Sequence, residues 1–400
     1  MDVDTNIFDA KKAPLSETEG ESERAIKVFS WSSLLNDFGA EMIYPIWPFF
    51  LTVYLGANMA ILGFIDGLSD AIVSISQAAS GYVSDRIQER KIFIWIGYLC
   101  GFLSRIGYAF SHIWELVIPF RVLDRAGKIR DAPRDAIIAD ISIKHERGRN
   151  FGILKAMDKL GGVFGIIFSI LFFKFLGYKK LFLVAAIPSL IAVILVLVFI
   201  KEKRPAVRRE KYQWLSFRAI SPDFKLFLGL SSVFALASFS YSFLLVYAQK
   251  FGFKIELVPL LYLLFVIFAF IFSIPFGKLA DKIGRKPVIM ISFMLWAIVC
   301  WLFIFLKSYI WAVVLTFIVY GMHKGALDPV QRAFVAELSP ADKRASGLGL
   351  FQMAVGICAL PSSLIAGLLW DRINYIVPLI VSLALTLAAV IMLAYVKEKD

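Results

Sequence analysis

A chain of 400 residues with 59% hydrophobic side chains, 37 phenylalanines and only 18% charged residues carries more apolar surface than a water-soluble core can use. Its net charge of +12 invites a nucleic-acid partner, but the basic residues sit between apolar runs and form no groove-reading module, so nucleic acid is excluded. Cys100, Cys300 and Cys358 each lie inside an apolar run, without metal-ligand spacing or a disulfide framework, and read as small core residues.

Residues 1–26 are polar and acidic and lack the basic-then-apolar order of a cleaved signal, which predicts a cytoplasmic tail. Apolar segments of roughly 20 residues, the length a bilayer demands, follow near 27–56, 59–84, 91–110, 113–141, 148–173 and 180–200. Six more lie near 223–250, 256–280, 287–306, 309–337, 344–369 and 374–396. The expected fold is an all-α membrane protein of twelve transmembrane helices, with a six-helix bundle over 27–200, a linker over 201–222 and a second bundle over 223–396. Alternate loops differ sharply in Lys and Arg content, and the rich set lies on the side of the N-terminal tail. The positive-inside rule then puts both termini in the cytoplasm. The linker, with KEKRPAVRREK followed by Tyr212, Trp214 and Phe217, suits the headgroup layer of the membrane lipids.

The fourth segment is the most charged. Arg121, Arg125, Lys128, Arg130 and Arg134 alternate with Asp124, Asp131, Asp135 and Asp140, and charge at bilayer depth signals function by default. A paler copy stands about 197 residues on, where Asp328, Ala333, Arg344 and Gly349 answer Asp131, Ala136, Arg147 and Gly152. The chain is duplicated.

A second repeated motif follows helices 2 and 8: Gly81, Asp85, Arg86, Arg90 and Lys91 in the first copy, Gly277, Asp281, Lys282, Gly284, Arg285 and Lys286 in the second. The pattern GxxxD(R/K)xGR(R/K), doubled at half the chain's length, resembles the signature loop of the major facilitator superfamily. That resemblance implies two pseudo-symmetric six-helix bundles around a central cavity, lined in part by helix 1. The second copy fits fully, whereas the first has Gln88 in place of glycine and Glu89 in place of a cation. A narrower likeness runs through Glu41-Met-Ile-Tyr-Pro45, Asp66, Asp70, Asp124-Arg125, Ala132-Pro-Arg-Asp-Ala136 and Asp158-Lys159. These look like a prokaryotic branch whose helix 4 reads DRxGKGIRxAPRDALIAD. Here Gly127-Lys-Ile-Arg130 is one glycine short, and one residue fewer turns everything beyond it by about 100° in a regular helix.

At about 1.5 Å of rise per residue, Glu41, Asp66, Arg105 and Arg121 fall in the outer-middle membrane and Asp37, Asp70 and Arg125 near the midplane. Acids from helices 1 and 2 facing bases from helices 3 and 4 nearly cancel, as a low-dielectric setting requires. Two readings remain open. Either the network only orients the first bundle, or an acid, Asp37 or Glu41 first, exchanges a proton as the pairing rearranges, with Asp70, Arg121 and Arg125 as partners. Asp66 and Asp70 are expected to pair with Arg105.

Helix 10 carries His323 and Lys324, which the repeat sets near Lys128. Cations converging from both halves suggest an anionic substrate group, with Tyr44 and Tyr241 packing its apolar part; the opposing readings are a Lys324–Asp328 pair and a hydrogen-bonded core histidine. At the cytoplasmic end Arg134, Asp135 and Asp85 predict a gate latch, with Asp281 and Arg332 or Glu337 as its counterpart. Asp158 and Lys159 read as an internal pair, and Gly161 and Gly165 as a close-packing site. No nucleophile with its base, metal-ligand cluster or phosphate-binding loop appears, so an enzyme and an ATP-driven pump are excluded and no cofactor is expected. The expected function is secondary active transport of a small organic solute, anionic or amphipathic, by a monomer coupled to H⁺ or alternatively Na⁺. A lipid flippase and a non-transporting sensor are the alternatives.

Overall fold

The computed structural model describes residues 15–87, 89–142, 146–200, 221–306, 309–339 and 344–396, all of them helical or in short connections. Twelve passes result. The first, α1, is Leu15–Glu41 continued by Trp47–Phe49 and a π-helical turn Phe50–Tyr54. Then come α2 (Met59–Ile87), α3 (Lys91–Phe110) and α4, in which Trp114–Ala126 passes through a 3₁₀ run Gly127–Arg130 into Asp131–Ile141. Arg147–Phe199 holds α5 and α6, separated at Gly177, whose φ of 62° is left-handed backbone that a glycine adopts freely. In the second half α7 is Pro222–Ala237 with Tyr241–Lys250, followed by α8 (Val258–Ile283), α9 (Arg285–Phe305), α10 (Ile310–Leu338), α11 (Arg344–Arg372) and α12 (Val377–Ala394).

Nine helical stretches among the described residues are long and apolar enough to cross a membrane, one of them the joined α5–α6. The helices of α1 and α4 are not among the nine. The helix of α1 carries Arg24, Lys27, Asp37 and Glu41, and α4 is divided by its 3₁₀ run into charged pieces of 13 and 11 residues. The first helix also begins at Leu15, well inside the stretch expected as tail.

Close helix contacts rest on glycines, because within a bilayer it is packing, not exclusion of water, that joins helices. Gly161 and Gly165 abut the backbone of Leu34 and Phe38, which binds α5 to α1 as their spacing predicts, and Gly97 abuts Gly127 between α3 and α4. The shortened Gly127–Arg130 stretch takes the 3₁₀ form. Four residues at 3.0 per turn advance about 80° further than they would in an α-helix, which offsets most of the rotation the missing glycine would cause.

One apolar core runs through both halves, and a smaller one around Phe29, Tyr98, Leu154 and Val196 fills the terminal end of the first half, the end that carries the chain termini. Between the two in the first half lies a polar layer. Arg105, 2% exposed, donates to the carbonyls of Ala185 and Asn36 and to the Ser189 hydroxyl. The two halves meet along α2 with α11, along α5 with α8, and where Trp47–Phe49 touches α7.

Candidate functional site

A cavity of about 760 Å³ lies between the halves, walled by α1, α2, α4 and α5 on one side and by α7, α8 and α10 on the other. Its closed end is an aromatic and ionic floor. The Trp47 indole N–H donates to Asp66 Oδ1 at 2.9 Å, and Arg121 stacks its guanidinium 4.0 Å from the Trp47 ring centroid while donating from Nε to Ser69 at 2.8 Å. Arg121 Nη2 stands 3.6 Å from Asp66, and Asp124 lies 3.8 Å from Arg121 and 3.5 Å from Arg125. Arg125 donates to the Tyr44 hydroxyl at 2.8 Å. Every one of these cations has a carboxylate beside it, as burial demands.

The expected pairing of Asp66 or Asp70 with Arg105 does not occur. Arg105 is held by carbonyls and hydroxyls in the polar layer, and Asp66 pairs with Arg121. Asp70 is instead exposed and lines the cavity, as Lys324 does from the opposite half. Asp37 is half-buried and accepts from Asn36 at 3.1 Å, outside the cavity lining. Glu41 is half-buried beside Gly162 on α5, and its Oε2 is buried without a hydrogen-bond partner among the described residues. Tyr262 on α8 is close enough to Glu41 to interact with its charge.

Of the expected substrate contacts, Tyr44, Tyr241 and Lys324 line the cavity, and the Tyr241 hydroxyl is buried without a partner among the described residues. Lys128 and His323 do not. Lys128 lies 4.0 Å from Asp131 at the 3₁₀ turn, drawn there by the same carboxylate that holds Arg130 and Arg134. His323 is fully buried, its Nδ1 2.9 Å from the Ser292 hydroxyl, with the rings of Phe234, Trp296 and Tyr320 around it. It faces α9, one helical step away from Lys324. Among the described residues no Lys324–Asp328 ion pair forms; both side chains line the cavity.

At the terminal end the ion pairs and hydrogen bonds seen among the described residues for Arg134, Arg90 and Arg285 join groups of the same half. Arg134 donates to Ser33 on α1 at 2.7 Å and to Asp135 at 2.9 Å, and Arg90 pairs with Asp140 at 2.6 Å. Arg285 bridges Asp281 at 2.5 Å and Glu337 at 3.0 Å, so among the described residues Asp281 meets neither Arg332 nor Glu337 directly, and Arg332 lines the cavity. Arg86 is exposed. The side chain of Asp85 and residue Gln88 lie outside the described residues. Gly81 and Gly277 make no close approach: a Cβ would meet Ala132 at an ordinary 3.6 Å at the first and nothing within 4 Å at the second. Gly284 does terminate α8 with φ 96°, the conformation for which its motif position calls.

Sequence reasoning missed Lys155, Lys159 and Tyr262 as cavity residues. Asp158, read as the partner of Lys159, pairs with Lys155 at 3.4 Å, because residues three apart share a helix face whereas adjacent ones do not.

The sequence profile of the Major Facilitator Superfamily matches residues 29–264 and 226–400. The chain belongs to the major facilitator superfamily. An uncharacterized MFS-type transporter of Methanocaldococcus jannaschii is 38% identical over 365 residues, covering 89% of this chain and 90% of its own length. The quinolone resistance protein NorA of Staphylococcus aureus is 23% identical over 390 residues, covering 94% and 97% of the two chains. Among solved structures, a point mutant of the nucleoside transporter NupG superposes with a TM-score of 0.78 at 16% identity over 94% of this chain and 100% of its own. A D-xylose–proton symporter gives 0.75 at 16% identity, over 94% and 98%. The superfamily membership and the twelve-pass fold make this an integral membrane transporter of small molecules.

Proposed function

We propose that the protein is a proton-coupled secondary transporter of a small organic anion, working by alternating access as a monomer in the cell membrane with both termini cytoplasmic. The bundles 27–200 and 223–396 are the moving bodies. The carrying observation is the charge of the shared cavity: Arg121, Arg125, Lys155, Lys159, Lys324 and Arg332 line it against Asp66, Asp70 and Asp328. Such an excess of cations attracts and orients an anion, and the rings of Tyr44, Tyr241, Tyr262 and Tyr320 accept its apolar part.

Glu41 is the favoured proton carrier. A buried carboxylate oxygen with no donor is costly as an anion, and protonation removes that cost. Its neighbour Tyr262 belongs to the other half, so a change in the Glu41 charge is felt across the seam. Neither acid is among the residues lining the cavity, and Asp37, already hydrogen-bonded to Asn36, is the second candidate.

An amphipathic anion is favoured over a purely polar one by the α5–α8 wall, where Lys155 and Lys159 stand near Phe270, itself 58% exposed. The test is proton flux in proteoliposomes holding a trapped pH dye, with small organic anions and anionic amphiphiles added under an imposed pH gradient. Solute-dependent proton movement that disappears in Glu41→Gln supports the proposal. Labelled solute crossing with no proton movement would replace H⁺ by Na⁺ or by facilitated diffusion.

A further inference from the structure

At the end opposite the chain termini, α2 and α11 come together backbone to backbone. A Cβ at Gly67 would lie 2.6 Å from the Cα of Leu360, and Gly63 and Gly367 abut the backbones of Ser363 and Met59. Asp371, in the last turn of α11, extends this contact with its carboxylate. Oδ1 accepts from the Met59 amide at 3.2 Å and Oδ2 from the Ala60 amide at 2.8 Å. These are the first two amides of α2, and they belong to the other half of the molecule.

A helix N-terminus leaves its first amides without intrahelical acceptors and carries partial positive charge, so a carboxylate is well suited to cap it. The cap on α2 is divided. Asn58 accepts from the Ile61 amide at 2.9 Å, a local cap that survives any movement of the halves. The Asp371 bonds exist only while α2 and α11 touch at this end. The close contact continues as far as Ser74 against Gly356, and toward the terminal end the same two helices line a further cavity of about 340 Å³, with Gln77 and Val73 on α2 and Gln352 and Val355 on α11. The seam is therefore closed at one end and open at the other, and a carrier that alternates must break the closed end.

We propose that Asp371 is the latch of the outer gate, a residue that positions α2 against α11 and sets the balance between the inward-open and outward-open states by capping a helix of the opposite half. The inference rests on the alternating-access reading above. None of the residues expected from the sequence to gate lies at this end. Losing a helix cap shifts an equilibrium by about fivefold, so removing Asp371 should raise the outward-open population by about that factor.

The experiment is electron–electron resonance distance measurement on the full chain in lipid nanodiscs, with spin labels at Ile113→Cys and Tyr309→Cys. These are exposed positions of the two halves at the outer end, and Cys100, Cys300 and Cys358 are replaced by alanine. The unsubstituted Asp371 protein should show a dominant short distance and a minor long one. Asp371→Ala should enlarge the long component about fivefold, whereas Asp371→Asn, which keeps a capping oxygen, should leave it nearly unchanged. An unaltered distribution in Asp371→Ala, or equal effects of Ala and Asn, overturns the latch. A single distance in every variant, unmoved by an imposed pH gradient in liposomes, overturns the alternating-access reading instead. Hydrogen exchange gives a readout that needs no substitution: the Met59 and Ala60 amides should exchange in step with the long-distance population, and exchange independent of it counts against the cap.

Discussion

Asp66 on α2 and Ser240 in the break of α7 are joined across the seam between the halves by a 2.7 Å hydrogen bond. The same carboxylate accepts from the Trp47 indole and faces Arg121, so one buried acid, 3% exposed, ties the floor of the cavity to both halves. Asp66→Ala leaves Arg121 with Asp124, at 3.8 Å, as its one ion-pair partner among the described residues and should cost about 3 kcal/mol. Ser240→Ala should cost about 1 kcal/mol. Because both remove the same bond, the double variant should lose less than the sum. Chemical denaturation followed by tryptophan fluorescence measures all three, and strict additivity would show that the bond carries nothing.

Neither Gly81 nor Gly277 crowds a neighbour in this arrangement of the halves. Alanine is the better helix former by about 1 kcal/mol, so Gly81→Ala and Gly277→Ala should each raise thermal stability slightly. If the glycines serve the outward-open arrangement, in which the terminal ends close, the same variants slow transport. A rate unchanged in both would leave the motif without a packing role in either state. Gly67→Val is the contrast: its side chain would press on the backbone of α11, and stability should fall by several kcal/mol or the seam should open.

On depth alone His323 reads as a substrate contact, and the structure makes it a core residue. Its Nδ1 is matched to Ser292 and its ring is packed by three aromatic neighbours. His323→Phe should therefore cost about 1 to 2 kcal/mol of stability through the lost hydrogen bond while leaving solute affinity unchanged. Thermal shift and equilibrium binding on the same preparation separate the two effects. A tenfold loss of affinity with normal stability would return His323 to the site.

What the sequence made legible follows from what periodicity encodes. Apolar runs, the twofold repeat and the loop charges are local or additive properties, and they located the helices, the duplication and the charged layer. Gly161 and Gly165 were readable because spacing by four defines one helix face. Pairing between helices was not readable. Asp66 pairs with Arg121 and not with Arg105 because Arg105 is turned toward α1 and α6, where the Asn36 and Ala185 carbonyls and the Ser189 hydroxyl hold it, a rotation that depth estimates ignore. Rotation also separated Lys324 from His323: neighbours in sequence lie about 100° apart on a helix, so one faces the cavity and the other the core. Asp371 escaped notice because an acid at a helix end resembles any solvated surface residue until the amides it caps, more than 300 positions away, are in view.

Lys324 gives the sharpest test of the cavity's chemistry. Among the described residues it forms no ion pair, as Lys159 and Arg332 also do not, whereas Arg121 and Arg125 both have Asp124 beside them, so its charge is available to a solute. Its ammonium stands 6.0 Å from the Tyr320 ring centroid, and Asp70 lines the same cavity from the other half. Lys324→Gln should weaken binding of an anionic solute about tenfold, roughly what one charge-assisted hydrogen bond contributes, and leave a neutral isostere of the same shape unaffected. Raising the ionic strength should narrow the difference between the two proteins, since screening weakens a solvated attraction. Equilibrium binding at two salt concentrations, with the anion and its neutral amide, reads all four quantities. Equal losses for anion and amide would mean that Lys324 shapes the cavity and does not recognise charge.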